Sequence, residues 1–352
     1  WVIVAAGNPP EYNKSVRDFD IVTLDRLKRI EIEPDYETWK EYAYKKGVHA
    51  SVMTYLAARK KDFYKIENAA DGKHFVTARG WDDLSEMIKL YEENGLAVDE
   101  QLICQYLQDA RISKDFAIYY DLFNKYRSDY QVEKILDGTV SESIVLRAER
   151  ASMDERLSLL GLIFDSVTAQ LRTVCERENI LDLVTGQLKT LKEKLKDVSG
   201  AAALLSEMIE AEREKLERGK QSSSISPQAQ RETRFMLEYL EEFRAAVMQS
   251  GSAQKDEFSI VRESFVQKVA ELKGLAADGG RALENVFSFC EKAFADGDEL
   301  LIFVTELTAN YYSARFIGRY GCDRYYMHNK QLQFDQRQQE IIKRMDEIQW
   351  TV

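Results

Sequence analysis

Three residues in the first quarter of the chain have side chains suited to phosphate chemistry. Asn8 directly follows the apolar run Val2–Ala6, and ligands of open α/β sheets bind beyond the carboxyl ends of the strands. From there its amide could hold a water molecule or contact a phosphate oxygen. Arg26 and Arg79 carry guanidinium groups, which stay charged and donate hydrogen bonds as a fork. We expect Arg79 to open a helix, where a bound anion would offset the repulsion between a cation and the helix dipole.

Each of these residues also has an ordinary structural interpretation. Asn before Pro is common at simple turns, so Asn8 alone is a weak signal. Arg26 has acidic neighbours in Asp25 and Glu31 and could form a surface ion pair with either. The secondary-structure elements around these residues therefore decide whether a functional or a structural interpretation is favoured.

The first 33 residues have the pattern of an α/β segment. Val2–Ala6 is a continuous apolar run, typical of a parallel strand that is covered on both faces, and Lys28–Ile32 is a second predicted strand. Pro34 ends the segment, and Asp35 is a favourable N-cap for the next helix. Because such a strand needs neighbours and the sequence opens at Trp1 within it, we expect other strands to come from a preceding segment or another chain.

The next hundred residues, 34–130, predict a small helical domain. Gly47, Gly72 and Gly95 divide the segment into short pieces, and aromatic residues are dense throughout it. About four helices packed around these aromatic side chains are expected.

A heptad pattern dominates the second half of the chain. From Met153 to Ile209 apolar residues recur in steps of four and three, which predicts one helix about 85 Å long. Glu178 is a polar residue in this seam that would set the register or break the helix. The polar segment Gly219–Pro227 is followed by a second apolar pattern up to Leu272, so a long antiparallel helical hairpin is expected.

Composition supports a mainly α, soluble protein. The 352 residues include only 4 Pro and 17 Gly, and the formal net charge is −11. An acidic chain is a poor general nucleic-acid binder, and the apolar runs are shorter than the roughly 20 residues of a membrane helix. The four cysteines lack zinc-site spacing, so a cytoplasmic protein with reduced thiols and no metal site is expected.

Two local patterns near the C-terminus have alternative explanations. The Tyr- and Arg-rich stretch 311–326 could stack on single-stranded nucleic acid, but packing of its aromatic side chains against the helical domain is the preferred interpretation. Cys322 with Asp323 and His328 could suggest a metal site. With 3 His in the chain and no second cluster, that site would be incomplete.

Four short motifs in the first 110 residues together resemble the C-terminal half of an AAA+ ATPase module, closest to the MoxR-like branch. They are Asn8-Pro9 after an apolar strand (sensor 1), the Leu24-Asp25-Arg26 box of the arginine finger, Pro34 after the next strand, and Ala78-Arg79 at a helix start (sensor 2). Each motif alone is weak, but their order is moderately specific. The resemblance covers under a third of the chain.

The resemblance implies a role for each residue. Asn8 would help to position the attacking water, and Arg79 would contact the nucleotide of its own subunit in the helical lid. Arg26 would reach the nucleotide of a neighbouring subunit, with Arg17 and Arg29 as alternatives for this finger. ATP and Mg²⁺ would be the cofactors, both held by residues upstream, because this sequence has neither a phosphate loop nor the acidic strand end that holds Mg²⁺.

The resulting expectation is the C-terminal part of an ATPase that remodels or assembles a partner protein. Its regions would be the end of the α/β core (1–33), the helical lid (34–130), a coiled-coil-like hairpin (131–298) and C-terminal helices (299–352). The family often forms hexameric rings, and the hairpin would contact neighbouring subunits or an unknown client protein. The alternative is a coiled-coil scaffold or adaptor without enzymatic activity.

Overall fold

The chain divides by its internal contacts into two compact units, Trp1–Asp35 and Tyr36–Val352. The boundaries predicted after residues 130 and 298 fall inside the second unit and stay predictions. The described part of the chain is mainly helical, which confirms the mainly α class. This computed structural model describes residues 4, 7, 22, 25–28, 30–69, 72–196, 200–222, 224–250, 257–295 and 297–330.

The first unit has no strand among its described residues. The predicted strand Lys28–Ile32 is wrong there, since Lys28 and residues 30–32 are irregular. Ile30 and Ile32 are 83% and 91% exposed. A strand is stable only when neighbouring backbone accepts its hydrogen bonds and covers its apolar side chains. The other predicted strand, Val2–Ala6, lies outside the described residues except for Val4.

The second unit consists of helices and one small hairpin. The helices are α1 Tyr36–Lys46, α2 Ala50–Ala58, α3 Ala78–Glu93, α4 Glu100–Tyr106, α5 Ala110–Tyr130, α6 Val132–Leu136, α7 Glu142–Arg150, α8 Met153–Lys194, α9 Ala201–Gln221, α10 Pro227–Gln249, α11 Glu257–Ala293, α12 Glu299–Ala309, α13 Tyr311–Tyr320 and α14, residues 323–330, with a 3₁₀ turn at Lys60–Asp62. Strands β1 Lys65–Ala69 and β2 Gly72–Val76 form the antiparallel hairpin.

Helices α1–α5 surround a core that we call the first core. Its fully buried rings include Tyr55, Trp81 and Phe116, and Trp81 meets Phe116 edge-on at 5.2 Å between ring centroids. Gly47 follows α1 and Gly95 follows α3, both with positive φ, a conformation that glycine adopts without a Cβ penalty. These two predicted breaks are confirmed.

The hairpin β1–β2 was missing from the sequence prediction of this region. Lys65 pairs with Val76 and Ile66 pairs with Phe75. The ladder ends with Ala69 paired to Gly72, so a two-residue turn joins the strands. Gly72 is therefore the first residue of β2, whereas we expected it to separate helices.

Helix α8 is 42 residues long and ends earlier than the heptad pattern predicts. It stops at Lys194, and Gly200 with φ 108° precedes α9, so the continuous helix expected up to Ile209 is wrong. Helix α9 turns back along α8, as the 3.0 Å ion pair between Lys194 and Glu207 shows. The apolar phase continues across the break because both helices bury their stripes in the same core.

The distal half of the extension is a four-helix bundle, which we call the arm (residues 180–272). It contains the end of α8, all of α9 and α10, and the start of α11 around its own core. The turn within Gly219–Pro227 joins α9 to α10 partway along α8, because Asn179 bonds to Glu232 at 2.8 Å. The two-armed hairpin is thus corrected to four antiparallel helices.

A second large core, the middle core, joins helices α5–α8 to α11–α14. Helices α8 and α11 run antiparallel through it, and Leu171 of α8 lies against Gly279 of α11. By length and composition, α8 is the one helix of the described residues that could cross a membrane. Just over half of that apolar stretch, 56%, is buried inside the protein, as in the central helix of a folded core.

Glu178 lies within an unbroken α8, so the predicted helix break at this residue is wrong. Its carboxylate is 2% exposed and lies 2.7 Å from Arg319 and 3.2 Å from Arg315. The Tyr320 hydroxyl donates a third bond at 2.6 Å. All three partners belong to α13, so this buried cluster fixes α13 against the middle of α8.

Removal of the Glu178 charge should destabilise the fold. We expect Glu178→Gln to lower the free energy of unfolding by about 3 kcal/mol, because Arg315 and Arg319 lose a buried partner. Urea unfolding followed by circular dichroism would measure the change. Glu214→Gln, at an exposed site with no described side-chain partner, should change it by less than about 0.5 kcal/mol. Equal effects of the two variants would contradict the assigned cluster.

Candidate functional site

The predicted site residues belong to different units of the chain. Asn8 lies outside the described residues, as do Arg17 and Arg29. Arg26 lies in the first unit, in a turn with Asp25, and is exposed. The described residues show no ion pair between Arg26 and Asp25. Arg79 lies in the second unit.

Arg79 is positioned by the way the β1–β2 hairpin leads into α3. Val76 is fully buried, and the Phe75 amide donates a 3.0 Å bond to the Gln108 carbonyl. Thr77 then caps the helix, since its hydroxyl accepts a hydrogen bond from the Gly80 amide at 3.2 Å. Arg79 is therefore the second residue of α3, as its place after Ala78 predicts.

Two neighbours of Arg79 anchor this end of the helix. Trp81 is fully buried and donates from its indole Nε1 to the Asp62 carbonyl at 3.2 Å. Gly80 permits a close approach to α4, because a Cβ at this position would lie 2.7 Å from the Tyr106 carbonyl oxygen. Arg79 thus extends from a fixed backbone.

The charge of Arg79 is uncompensated. The side chain is exposed and, among the described residues, makes neither a hydrogen bond nor an ion pair. The first turn of α3 contains no acidic residue, and Asp82 in the next turn is bound by Lys46 at 2.6 Å. A cation and the positive end of the helix dipole therefore face solvent together, an arrangement that favours a bound anion such as phosphate.

The Tyr- and Arg-rich stretch 311–326 is used for packing. Tyr312 and Phe316 are buried against α8 and α11, and two of its arginines bind Glu178. The Tyr312 hydroxyl lies 3.4 Å from the Lys45 carbonyl oxygen of α1, so part of this packing is against the helical domain, as expected.

Cys322 and His328 have separate partners. The Cys322 thiol donates to Glu284 at 3.3 Å, and His328 lies 2.9 Å from Glu291. Burial raises the Cys322 pKa to about 12, so the thiol stays protonated at neutral pH. Within the described ranges no group of three His, Cys, Asp or Glu side chains could hold a metal ion.

In comparisons with models of protein families, with curated proteins and with solved structures, the chain matches none of them.

Sequence analysis missed two residues, Asp165 and Tyr36, that line a large cavity in the second unit. Asp165 follows the core residues Leu162, Ile163 and Phe164, so its place at the edge of a buried stripe was visible in the sequence. That face of α8 lies opposite α1, α2 and α12, which are distant in sequence. A local sequence pattern does not show which distant helices pack near it.

Substitution of Gly80 should disturb the start of α3. We expect Gly80→Ala to cost about 1–3 kcal/mol, since its methyl group would collide with the backbone of Tyr106. Gly186→Ala is the matched control, because a Cβ there meets nothing within 4 Å and Ala favours a helix by about 0.5–1 kcal/mol. Thermal unfolding should show a lower midpoint for the first variant and a higher one for the second. A stabilised Gly80→Ala would contradict the close approach.

Proposed function

We propose that this chain supplies the sensor and lid part of an AAA+ ATPase similar to the MoxR-like branch. In the complete enzyme, ATP hydrolysis would drive the remodelling or assembly of a partner protein. The observation that supports this most is Arg79, an exposed cation without a described partner at the anchored N-terminus of α3. This is what a residue needs in order to bind a nucleotide phosphate and to report the position of its helix.

Catalysis of phosphoryl transfer depends mainly on positioning and on cations near the developing charge. Under this proposal Arg79 binds the nucleotide of its own subunit. Arg26 extends to the nucleotide of a neighbouring subunit in a ring, and Asn8 orients the attacking water. The ring, often a hexamer in the family, is part of the proposal because Arg26 would act between subunits.

The remaining parts of such a site are not in this chain. The sequence has no phosphate loop, and the described residues offer no metal site. We therefore assign ATP and Mg²⁺ binding to residues that the whole enzyme supplies, and we derive no step through Mg²⁺ from this chain.

Arginine substitutions in the product of the complete gene test this proposal. Arg79→Ala should weaken ATP binding by about 10- to 100-fold, the value of a charge-assisted hydrogen bond or two. Arg26→Ala should lower kcat by about 10³-fold or more while ATP binding by its own subunit is retained. A coupled assay of phosphate release and a fluorescent-nucleotide titration would measure both.

The matched control is Arg231→Ala, at an exposed arginine of the arm without a described contact. It should leave both quantities within about twofold of the unmodified enzyme. If no ATPase activity is present, or if all three variants behave alike, the proposal fails and the scaffold or adaptor interpretation replaces it.

The arm is proposed to contact a client protein or neighbouring subunits. Its support is a separate core: helices α9 and α10 pack in the arm core, whereas α8 and α11 continue into the middle core. The arm could therefore be shortened without opening the middle core.

Deletion of residues 180–271, with Asn179 and Leu272 joined by a short Gly/Ser linker, tests this separation. Packed helices lie about 8–10 Å apart, so four linker residues span the gap. We expect the complete enzyme to keep its ATPase rate within about threefold, because Asn8, Arg26 and Arg79 lie outside the deletion. Loss of the ATPase activity in a variant that still unfolds cooperatively would contradict this division of roles.

A further inference from the structure

A cavity of about 830 Å³ lies between the first core and the middle core. Its walls come from α1, α2, α5, α8, α12 and α13. Two of its lining residues, Ile118 and Leu122 of α5, are 53% and 40% exposed. Cavities of about 300–1,000 Å³ with apolar walls and a few polar groups are typical of small-molecule sites.

Most charged side chains of the cavity wall already have partners. Each lining cation is in contact with a carboxylate, so none of these cations is available to attract an anionic ligand. The pairs are Lys40–Glu306 (2.5 Å), Arg59–Asp115 (2.9 Å), Arg172–Glu176 (2.8 Å) and Lys60–Glu37.

The charges that remain unpaired are negative. Asp165, in the first half of α8, has neither a hydrogen bond nor an ion pair to its carboxylate among the described residues. Asp154 likewise has no described side-chain partner, but it lies in the first turn of α8, where the helix dipole stabilises a carboxylate. Asp165 has no such compensation.

Partial loss of solvent inside the cavity is the main influence on the Asp165 carboxyl and raises its pKa. His49, Arg127 and Lys89 act in the opposite direction, but only from a distance. Asp165 is nevertheless an exposed residue, and it lines the cavity. With no described protein partner, this carboxylate is free to pair with a cation that enters the cavity.

Aromatic residues form much of the remaining wall. Tyr36 is 7% exposed, and its buried hydroxyl has no hydrogen-bond partner in the described structure. The Tyr44 hydroxyl donates a hydrogen bond to Glu306, and Tyr44 and Asp165 both line the cavity. Tyr44 and Asp165 therefore face the same space. Tyrosine rings attract organic cations through their π faces.

We infer that this cavity binds a small organic cation with an aromatic or apolar body. Its ammonium group contacts the Asp165 carboxylate, the Tyr36 hydroxyl accepts a hydrogen bond, and the tyrosine rings enclose the apolar part. The site needs no nucleotide, so it is independent of the ATPase proposal, and the failure of one leaves the other standing.

Two probes of the same shape and different charge test the inference. Tryptamine carries an ammonium group, and tryptophol carries a hydroxyl in its place. We expect tryptamine to bind the full chain with a Kd below about 1 mM in calorimetric titration. Tryptophol should bind at least about tenfold more weakly, because it lacks the charge.

Variants of α8 assign the binding to this cavity. Asp165→Asn should weaken tryptamine binding by about tenfold or more and leave tryptophol unaffected. Ala169→Leu, one helical turn from Asp165 and on the same wall, should weaken both probes by filling space. Asp182→Asn, exposed on the same helix outside the cavity, should change neither.

Any of three results overturns the inference, and the variants used must match the unmodified chain in far-ultraviolet circular dichroism and unfolding midpoint. These are equal binding of the two probes, tighter binding of an anion of the same shape such as indole-3-propionate, and tryptamine binding that survives both Asp165→Asn and Ala169→Leu. If Asp165→Asn does not fold, Ala169→Leu and the comparison of probes still decide the question.

Discussion

The apolar side chains of α8 must be covered along all 42 residues of the helix, and the second unit is built around this requirement. Its first half is covered by the short helices of the middle core and by the end of α11. Its second half is covered by α9, α10 and the start of α11. Burial of apolar surface is the main source of stability. The arm and the middle core therefore each bury the apolar side chains of one half of α8.

The sequence allowed the class of the fold and several boundaries to be predicted. The start of α1 after Pro34 and Asp35, the break at Gly47 and the place of Arg79 at the start of α3 follow from local chemistry, which nearby residues determine. The end of α8 could not be predicted from the sequence, because the two helices on either side of Gly200 share one apolar phase. Such a pattern records which faces are buried and does not record where the chain reverses.

Other features depended on partners far away in the chain. The three groups that bind Glu178 lie 137 to 142 residues further along, so a lone acidic residue in a heptad seam was compatible with a break, a register contact or an ion pair. The cavity beside Asp165 needed six helices to form. By contrast, the side chain of Arg79 and the fixed start of α3 are both local, which explains why this part of the candidate site was predictable.

Of the four helices in the arm, α8 and α11 alone have residues in both the arm core and the middle core. The turn that joins the end of α9 to the start of α10 lies where the arm meets the rest of the unit. A sideways force on the tip of the arm would therefore reach the middle core through α8 and α11, with one helix under compression and the other under tension. Glu178 binds α13 to α8 just before the arm begins, so α13 braces α8 at the base of the arm.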